Sequence, residues 1–438
     1  MSHVDETHDP QRRSWVDSAN QPGVDFPIQN LPVGIFSVDD GQPRCGMAIG
    51  DAIFDIGVAL AKGWLTEEAV IAAEAGWGAS LNAVFSLGRA PLRALRRQVA
   101  VLLDADSPMC QTVQAARTEI LHEQSRCTMH LPVHVGNYTD FYAGIFHARA
   151  AGALLTPENP LPDNYKWVPI GYHGRASSVR VSGGTVRRPS GQQPPSAGGK
   201  PRVAPTQRLD FELEMGFYVG AGNALGEPVL IKDAGEHIAG FCLLNDWSAR
   251  DVQRWEMFPL GPFLSKNFGT MVSPWVVTAD ALAPFRVPAM IRDVGDPAPL
   301  DYLLDHHDQH GGGIDIALCV HLQTERMRQQ GVPEVEILKS NARHLYWTPA
   351  QMLAHHTSGG CNLEPGDLLG TGTISGPMPD QLSSMLELTV GGTRPVMLPD
   401  GEQRGFLEDG DEVVFTGRCH REGFVSISFG EVRGRIGA

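Results

Sequence analysis

Asp210, Glu212 and Glu214 recur at every second position in the run Leu209-Asp210-Phe211-Glu212-Leu213-Glu214-Met215-Gly216-Phe217. Period two is the signature of a β-strand, whose successive side chains point to opposite faces. The three acids then share one face, and Leu209, Phe211, Leu213, Met215 and Phe217 share the other. Like charges along one strand face repel unless something neutralises them. A divalent cation with hard oxygen ligands does so. A solvated acidic face above a buried apolar one is the plainer reading of this stretch taken alone.

Other chemistry-bearing residues flank it. Asn137-Tyr138-Thr139-Asp140-Phe141-Tyr142 offers a carboxylate and a phenol, and His147 follows seven residues after Asp140. That offset is about two helical turns, so Asp140 and His147 face one site if the segment is helical. A surface histidine is the alternative. Gly171-Tyr172-His173-Gly174-Arg175-Ala176-Ser177-Ser178 reads as a tight glycine-flanked turn, with Tyr172 either donating to a substrate oxygen or simply packed. Asp246 follows an apolar strand, Phe241 to Leu244, and Arg250 and Gln253 fall at helical offsets of four and seven from it, so the three side chains share one helix face if the segment is helical. Lys266 lies in a Gly/Pro-bounded segment with few neighbouring charges, shortly before Thr270. The loop Gly370-Thr371-Gly372-Thr373-Ile374-Ser375-Gly376 could hold a carboxylate on its N–H groups. It lacks the lysine of a phosphate loop. Glu387 sits in an expected strand over 385–390, where burial calls for a partner such as histidine. Asp305-His306-His307-Asp308-Gln309-His310 has ligands for a transition metal, but it runs into three glycines and reads rather as a mobile loop, and His355-His356 as a helix end. No GxSxG, HExxH or strand-linked GxGxxG is present, which disfavours serine hydrolases, zincins and dinucleotide enzymes.

The elements that must position these residues are mostly short. With 49 Gly and 32 Pro in 438 residues, the chain favours turns and short strands over long helices. Its length suggests two or three domains. Strands are expected over 33–38, 47–50, 52–56, 239–244, 275–278 and 314–322, with a hairpin over 411–434. A helical stretch over 66–104 carries Leu81, Val84, Leu92, Leu95, Val99 and Leu102 on one side and leaves Arg93, Arg96 and Arg97 polar. Thr348 and Pro349 read as N-cap and first residue of a helix over 348–356. Residues 1–22 suit a flexible or edge-hugging arm, and 183–207 a long surface loop or a protomer-spanning excursion. The net charge of −15 argues against a nucleic-acid or anionic-membrane partner. The polar N-terminus and the lack of a long apolar run favour a cytoplasmic protein. Seven scattered cysteines without a CxxC pair suit reduced thiols there.

The motifs, taken together, resemble the fumarylacetoacetate hydrolase family. They are Phe26-Pro27 with Gln29-Asn30-Leu31-Pro32, Tyr138-Thr139-Asp140-Phe141-Tyr142, the stretch from Gly171 to Ser178 and Glu212-Leu213-Glu214-Met215. They continue through Asn245-Asp246-Trp247-Ser248-Ala249-Arg250-Asp251, Gly372-Thr373-Ile374-Ser375-Gly376 and Phe406-Leu407-Glu408-Asp409-Gly410-Asp411-Glu412, in order along nearly the whole chain. The resemblance implies a mainly β fold with some α: a small N-terminal SH3-like β-barrel domain over 1–125 and a C-terminal mixed β-sandwich roll over 126–438. It implies a homodimer and metal-dependent hydrolysis of fumarylacetoacetate to fumarate and acetoacetate, in tyrosine and phenylalanine breakdown. Calcium and/or magnesium would be held by Asp140, Glu212, Glu214 and Asp246, with Lys266 and Thr270 near a second cation through their backbone. His147 matches the general base and Glu387 its orienting carboxylate. Arg250, Gln253 and Lys266 match groups that stabilise negative charge. Tyr142, Tyr172, Gln253 and Thr373 match substrate contacts. Thr156 and Met257 stand where the family has an arginine and a tyrosine at the substrate's acid end. They keep an acylpyruvate or other 1,3-diketone acid open as an alternative substrate. A catalytically silent metal-stabilised scaffold, and a decarboxylase or hydratase, fit the same residues less well.

Overall fold

Short apolar runs punctuated by glycine and proline become strands. The computed structural model, which describes residues 3–39, 41–195 and 199–437, gathers most of them into three sheets. The first has five antiparallel strands in the order Leu121–Glu123, Ala52–Asp55, Arg44–Ile49, Val33–Val38 and Cys127–His130. Its last strand lies beyond residue 125, the boundary expected from sequence. The second, eight-stranded and mixed, runs Gly171–His173, Tyr138–Phe141, Leu368–Gly370, Leu213–Val219, Ile238–Asp246, Thr270–Val272 and Val179–Val181, with Val277–Thr278 off the main path. The third joins Val335–Asn341, Ala317–Gln323, Glu412–Cys419, Ile427–Gly437 and Thr185–Arg187.

The eight-stranded sheet is covered on both faces. Along Ile238–Asp246, Phe241 and Leu243 enter one core with Phe415 and Phe429 of the third sheet, while Cys242 and Leu244 enter another with Leu92, Leu95 and Phe85 of the N-terminal helices. Alternation across a strand places neighbours on opposite faces. Every residue of this strand is therefore buried, and the apolar run needs no polar alternation.

Several expectations need correction. The helical stretch over 66–104 is three helices, Glu67–Ala75, Asn82–Ser86 and Arg89–Leu103. Arg96 is not on a polar face but 1% exposed, donating to the carbonyls of Asn30 and Gln29 and to Thr7 Oγ1. Of the two readings of the arm, the edge-hugging one agrees with the structure: Trp15 Nε1 donates to Leu102 O at 2.9 Å and Ser14 bridges Asp104. The expected loop over 183–207 holds the strand Thr185–Arg187 and a hairpin of Ser190–Gln193 with Arg202–Pro205; its residues 196–198 lie outside the described residues. Asp305 caps a helix, His306–Gly311, where a mobile loop was expected. The helix at Thr348 forms as expected over Pro349–Thr357, with a capping box between Thr348 and Gln351. Among the described residues no helix is long and apolar enough to cross a membrane, and all seven cysteines are free.

Candidate active site

Asp140, Glu214 and Asp246 come from three strands of the eight-stranded sheet, Tyr138–Phe141, Leu213–Val219 and Ile238–Asp246. All three are buried, and one carboxylate oxygen of each lies within 4.8 Å of the others. The acidic run is continuous in sequence but not in the sheet. Leu209–Asp210 pairs with Ser248–Ala249, and the long strand resumes at Leu213. The apolar residues of the run are all in the core, and the acids on the other side are buried too. That excludes a solvated face.

Two glycines let the carboxylates approach. Gly370 pairs with Asp140 across a parallel register, and a Cβ there would lie 2.5 Å from Asp140 Oδ1 and 3.2 Å from Glu214 Oε2. Gly372 has φ of 75°, a left-handed conformation that turns its N–H onto Glu214 Oε2 at 3.0 Å. The Gly/Thr loop thus binds a carboxylate through its backbone, but one of the protein's own. Gly370→Ala is expected to splay the carboxylates and to weaken metal binding by about 10–100-fold, measured by calorimetric titration.

Charge in the cluster is unbalanced. Burial, then the neighbouring acids, push Asp140 and Glu214 well above the usual carboxylate range. Burial raises Asp246 as well, against the pull of Lys266. Asp140 Oδ1 and Glu214 Oε1 are buried without a hydrogen-bond partner among the described residues. An all-oxygen donor set with unsatisfied lone pairs fits a hard divalent cation.

Glu212 lies beside this group rather than within it. Lys266 Nζ donates to Glu212 Oε2 and to Asp246 Oδ2, each at 2.5 Å, and Arg250 Nη1 donates to Glu212 Oε1 at 2.6 Å. Burial raises Glu212, but Lys266 and Arg250 outweigh it and hold the group below its ordinary value. Arg250 Nη1 also reaches Gln253 Oε1 at 3.1 Å, so these two share a face of the helix Arg250–Glu256, while Asp246, expected on the same helix face, ends the strand Ile238–Asp246. Thr270 Oγ1 is 3.4 Å from Asp246 Oδ1. Tyr172 stands on the strand Gly171–His173 where a turn was expected, and its hydroxyl donates to Asp140 Oδ2 at 3.0 Å and to Asp246 Oδ2 at 3.1 Å. Burial and those two acids raise its phenol, keeping it a donor.

His147 and Asp140 do not share a helix. Asp140 lies in the strand Tyr138–Phe141 and His147 in the first turn of the helix Ile145–Leu155, whose N-cap is Gly144. His147 is 2% exposed, not a surface residue. Its Nδ1 lies 2.8 Å from Glu387 Oε2 and its Nε2 3.8 Å from Glu212 Oε1, so the ring lies between Glu387 and Glu212, which stands beside the acidic cluster. Tyr142 packs edge-on against it at 6.0 Å. Thr373 is buried, its carbonyl oxygen 2.1 Å from where a Cβ on Gly144 would stand.

Glu387 is on a helical turn, Met385–Leu388, not in a strand. Ser384 is its N-cap, and Ser-x-x-Glu before an apolar run was a legible helix-start signal. Ser375 Oγ and Ser384 Oγ donate to Glu387, each at 2.8 Å. Burial raises Glu387, yet His147 and these serines hold it below its usual value. Sequence reasoning missed both serines and the close approach that Gly370 allows, while it read the loop's N–H groups as a carboxylate holder.

Two family models cover most of the chain: Fumarylacetoacetase N-terminal matches residues 29–132, and Fumarylacetoacetate (FAA) hydrolase C-terminal matches 137–436. Fumarylacetoacetase of Homo sapiens is 47% identical over 415 residues, covering 94% of this chain and 96% of the relative. That of Arabidopsis thaliana is 43% identical over 413 residues, covering 94% and 95%. The solved structure of a fumarylacetoacetate hydrolase from psychrophilic Exiguobacterium antarcticum has a TM-score of 0.50 at 16% identity, covering 93% of this chain and 99% of that one, and shares its fold.

Proposed function

The chain belongs to the fumarylacetoacetase family, and from that premise we propose how its site hydrolyses the carbon–carbon bond of fumarylacetoacetate to give fumarate and acetoacetate. The observation that carries the reading is the position of His147, with Glu387 at Nδ1 and the acidic cluster on the Nε2 side. Glu387 fixes the ring with Nδ1 protonated and leaves Nε2 free to take a proton from water. The hydroxide so formed adds to the carbonyl next to the fumaryl unit. Lys266, Arg250 and Gln253 offset the charge on the oxygen. The carbon–carbon bond then breaks, its electron pair leaves with acetoacetate as a carbanion, and the proton held by His147 balances it. No covalent enzyme intermediate is required. Tyr142, Tyr172 and Thr373 line the approach as substrate contacts.

Asp140, Glu214 and Asp246 would hold a divalent cation, with Glu212 as a fourth ligand and Lys266 and Thr270 near a second. Calcium and magnesium both suit oxygen ligands. Such an ion supplies Lewis acidity to the diketone oxygens. The five-stranded antiparallel sheet supports reading the N-terminal unit as an SH3-like barrel, with the boundary drawn after His130, and the remainder as the catalytic roll. A homodimer and a cytoplasmic setting belong to the same reading, the latter supported by the free thiols.

The test is loss of diketone absorbance with and without chelator. Fumarylacetoacetate is expected to turn over faster than fumarylpyruvate or acylpyruvates, and a reversed preference rejects the substrate assignment. Thr156 uses its hydroxyl on the carbonyls of Gly152 and Asn159, each at 3.3 Å, and so closes the helix rather than reaching for substrate. Glu387→Gln is expected to lower kcat by roughly 10²-fold with little change in KM, read by steady-state kinetics.

A further inference from the structure

Asp210 is fully buried and has no part in the reaction as described so far. Its carboxylate accepts four hydrogen bonds. Oδ1 takes the amides of Phe211 at 2.8 Å and Met385 at 2.7 Å. Oδ2 takes the amide of Leu386 and Nε of Arg250, each at 2.9 Å. Met385 and Leu386 open the helical turn that carries Glu387. The first N–H groups of a helix have no partner inside it. Ser384 Oγ accepts that of Glu387 at 3.3 Å, so side chains of two residues, Asp210 and Ser384, fix the amino end of this turn. The bond to Nε also sets where the Arg250 fork lies, and hence aims Nη1 at Glu212 and Gln253.

We propose that Asp210 is a positioning residue that holds the His147–Glu387 pair and the Arg250–Gln253 clamp in one fixed relation. The inference rests on the roles given above to His147 and Arg250. A carboxylate is required at this point. Asparagine has the same shape, but one of its two ends is an NH2 that cannot accept. Each oxygen of Asp210 takes two donors, so either orientation of an asparagine sets its NH2 against two of them. Glu387 or Arg250 must then shift, and about 1 Å of misplacement at reacting groups lowers rate on the order of 10²-fold.

Steady-state kinetics of metal-saturated Asp210→Asn, with the folded fraction measured by circular dichroism, tests this. The expected result is a kcat about 10²-fold lower at unchanged KM and unchanged metal affinity. Asp280→Asn is the comparison. Asp280 is also buried and accepts from Arg89 at 2.6 Å and Arg93 at 3.1 Å, outside the site. That variant should lose thermal stability and keep its kcat. Asp210→Glu keeps the charge and adds one methylene; it serves if the asparagine variant does not fold, and its kcat should fall as well. Wild-type kcat in either folded Asp210 variant, or a loss confined to KM, overturns the proposal. Activity retained in His147→Ala would instead reject the general base. An inactive His147→Ala beside fully active Asp210 variants would reject this inference alone.

Discussion

His147→Ala should lower kcat by roughly 10³–10⁴-fold, near the upper end of what a positioned proton acceptor supplies, while leaving the melting temperature and metal content close to those of the wild type. The ring is 2% exposed and its polar neighbours are Glu387 at 2.8 Å and Glu212 at 3.8 Å. Glu387 keeps Ser375 and Ser384 as donors once the imidazole is gone, and Glu212 keeps Lys266 and Arg250. Neither carboxylate is left without a partner, so the fold should tolerate the truncation. Residual turnover should not respond to Glu387→Gln in the same chain, because the two residues act as a unit. A double variant that loses rate additively would separate them. Kinetics and thermal melts on the two single variants and the double variant decide the matter.

Removing the divalent cation with a chelator should abolish hydrolysis and lower the melting temperature together, and either calcium or magnesium should restore both. A ligand that binds the folded state alone stabilises it by about 2.7 kcal/mol at a hundredfold excess over Kd. The direction of the pH effect follows from the carboxylates. Without an ion, burial and mutual repulsion raise Asp140 and Glu214 above their ordinary values, so the folded protein holds protons there that the unfolded chain has already released. Acidification therefore favours the ion-free folded state at these two sites, and rising pH withdraws that stabilisation. Metal must displace those protons, so apparent affinity should rise with pH and binding should release protons. Calorimetry in buffers of different ionisation enthalpy measures the release directly. Affinity independent of pH would reject the assignment of Asp140 and Glu214 as ligands. Asp246→Ala should lower metal occupancy, measured by elemental analysis.

The parts of this site that follow local rules were legible in the sequence. The acid–apolar alternation marked residues whose apolar side is in the core, and the Arg250–Gln253 spacing marked the helix that follows the strand ending at Asp246. Thr348 and Pro349 marked a helix start that the structure contains. What failed depended on distant partners. Met385-Leu386-Glu387-Leu388 looks like a strand by its apolar residues; Ser384 caps it as a local helix start, and the part no local rule encodes is distant Asp210, which takes the N–H groups of Met385 and Leu386. Arg96 sits on a helix face that reads as polar, and is buried because Thr7 of the N-terminal arm and the carbonyls of Gln29 and Asn30 supply acceptors across it. The meeting of Asp140 with Glu214 depends on a register between the strands at 138–141 and 368–370, which no local pattern encodes.

That register bears on how the protein is made. Leu368–Gly370 inserts between Tyr138–Phe141 and Leu213–Val219, and Asn137 is tied to Asp367 across 230 positions of chain. During synthesis, Asp140 and Glu214 leave the ribosome well before the strand that belongs between them. Until it arrives, each growing chain carries an unfilled gap in its central sheet, with open strand edges and uncompensated acids. Chains released early by a premature stop should consequently be clients for chaperones and proteases, and nascent-chain proteolysis should show protection appearing late and abruptly.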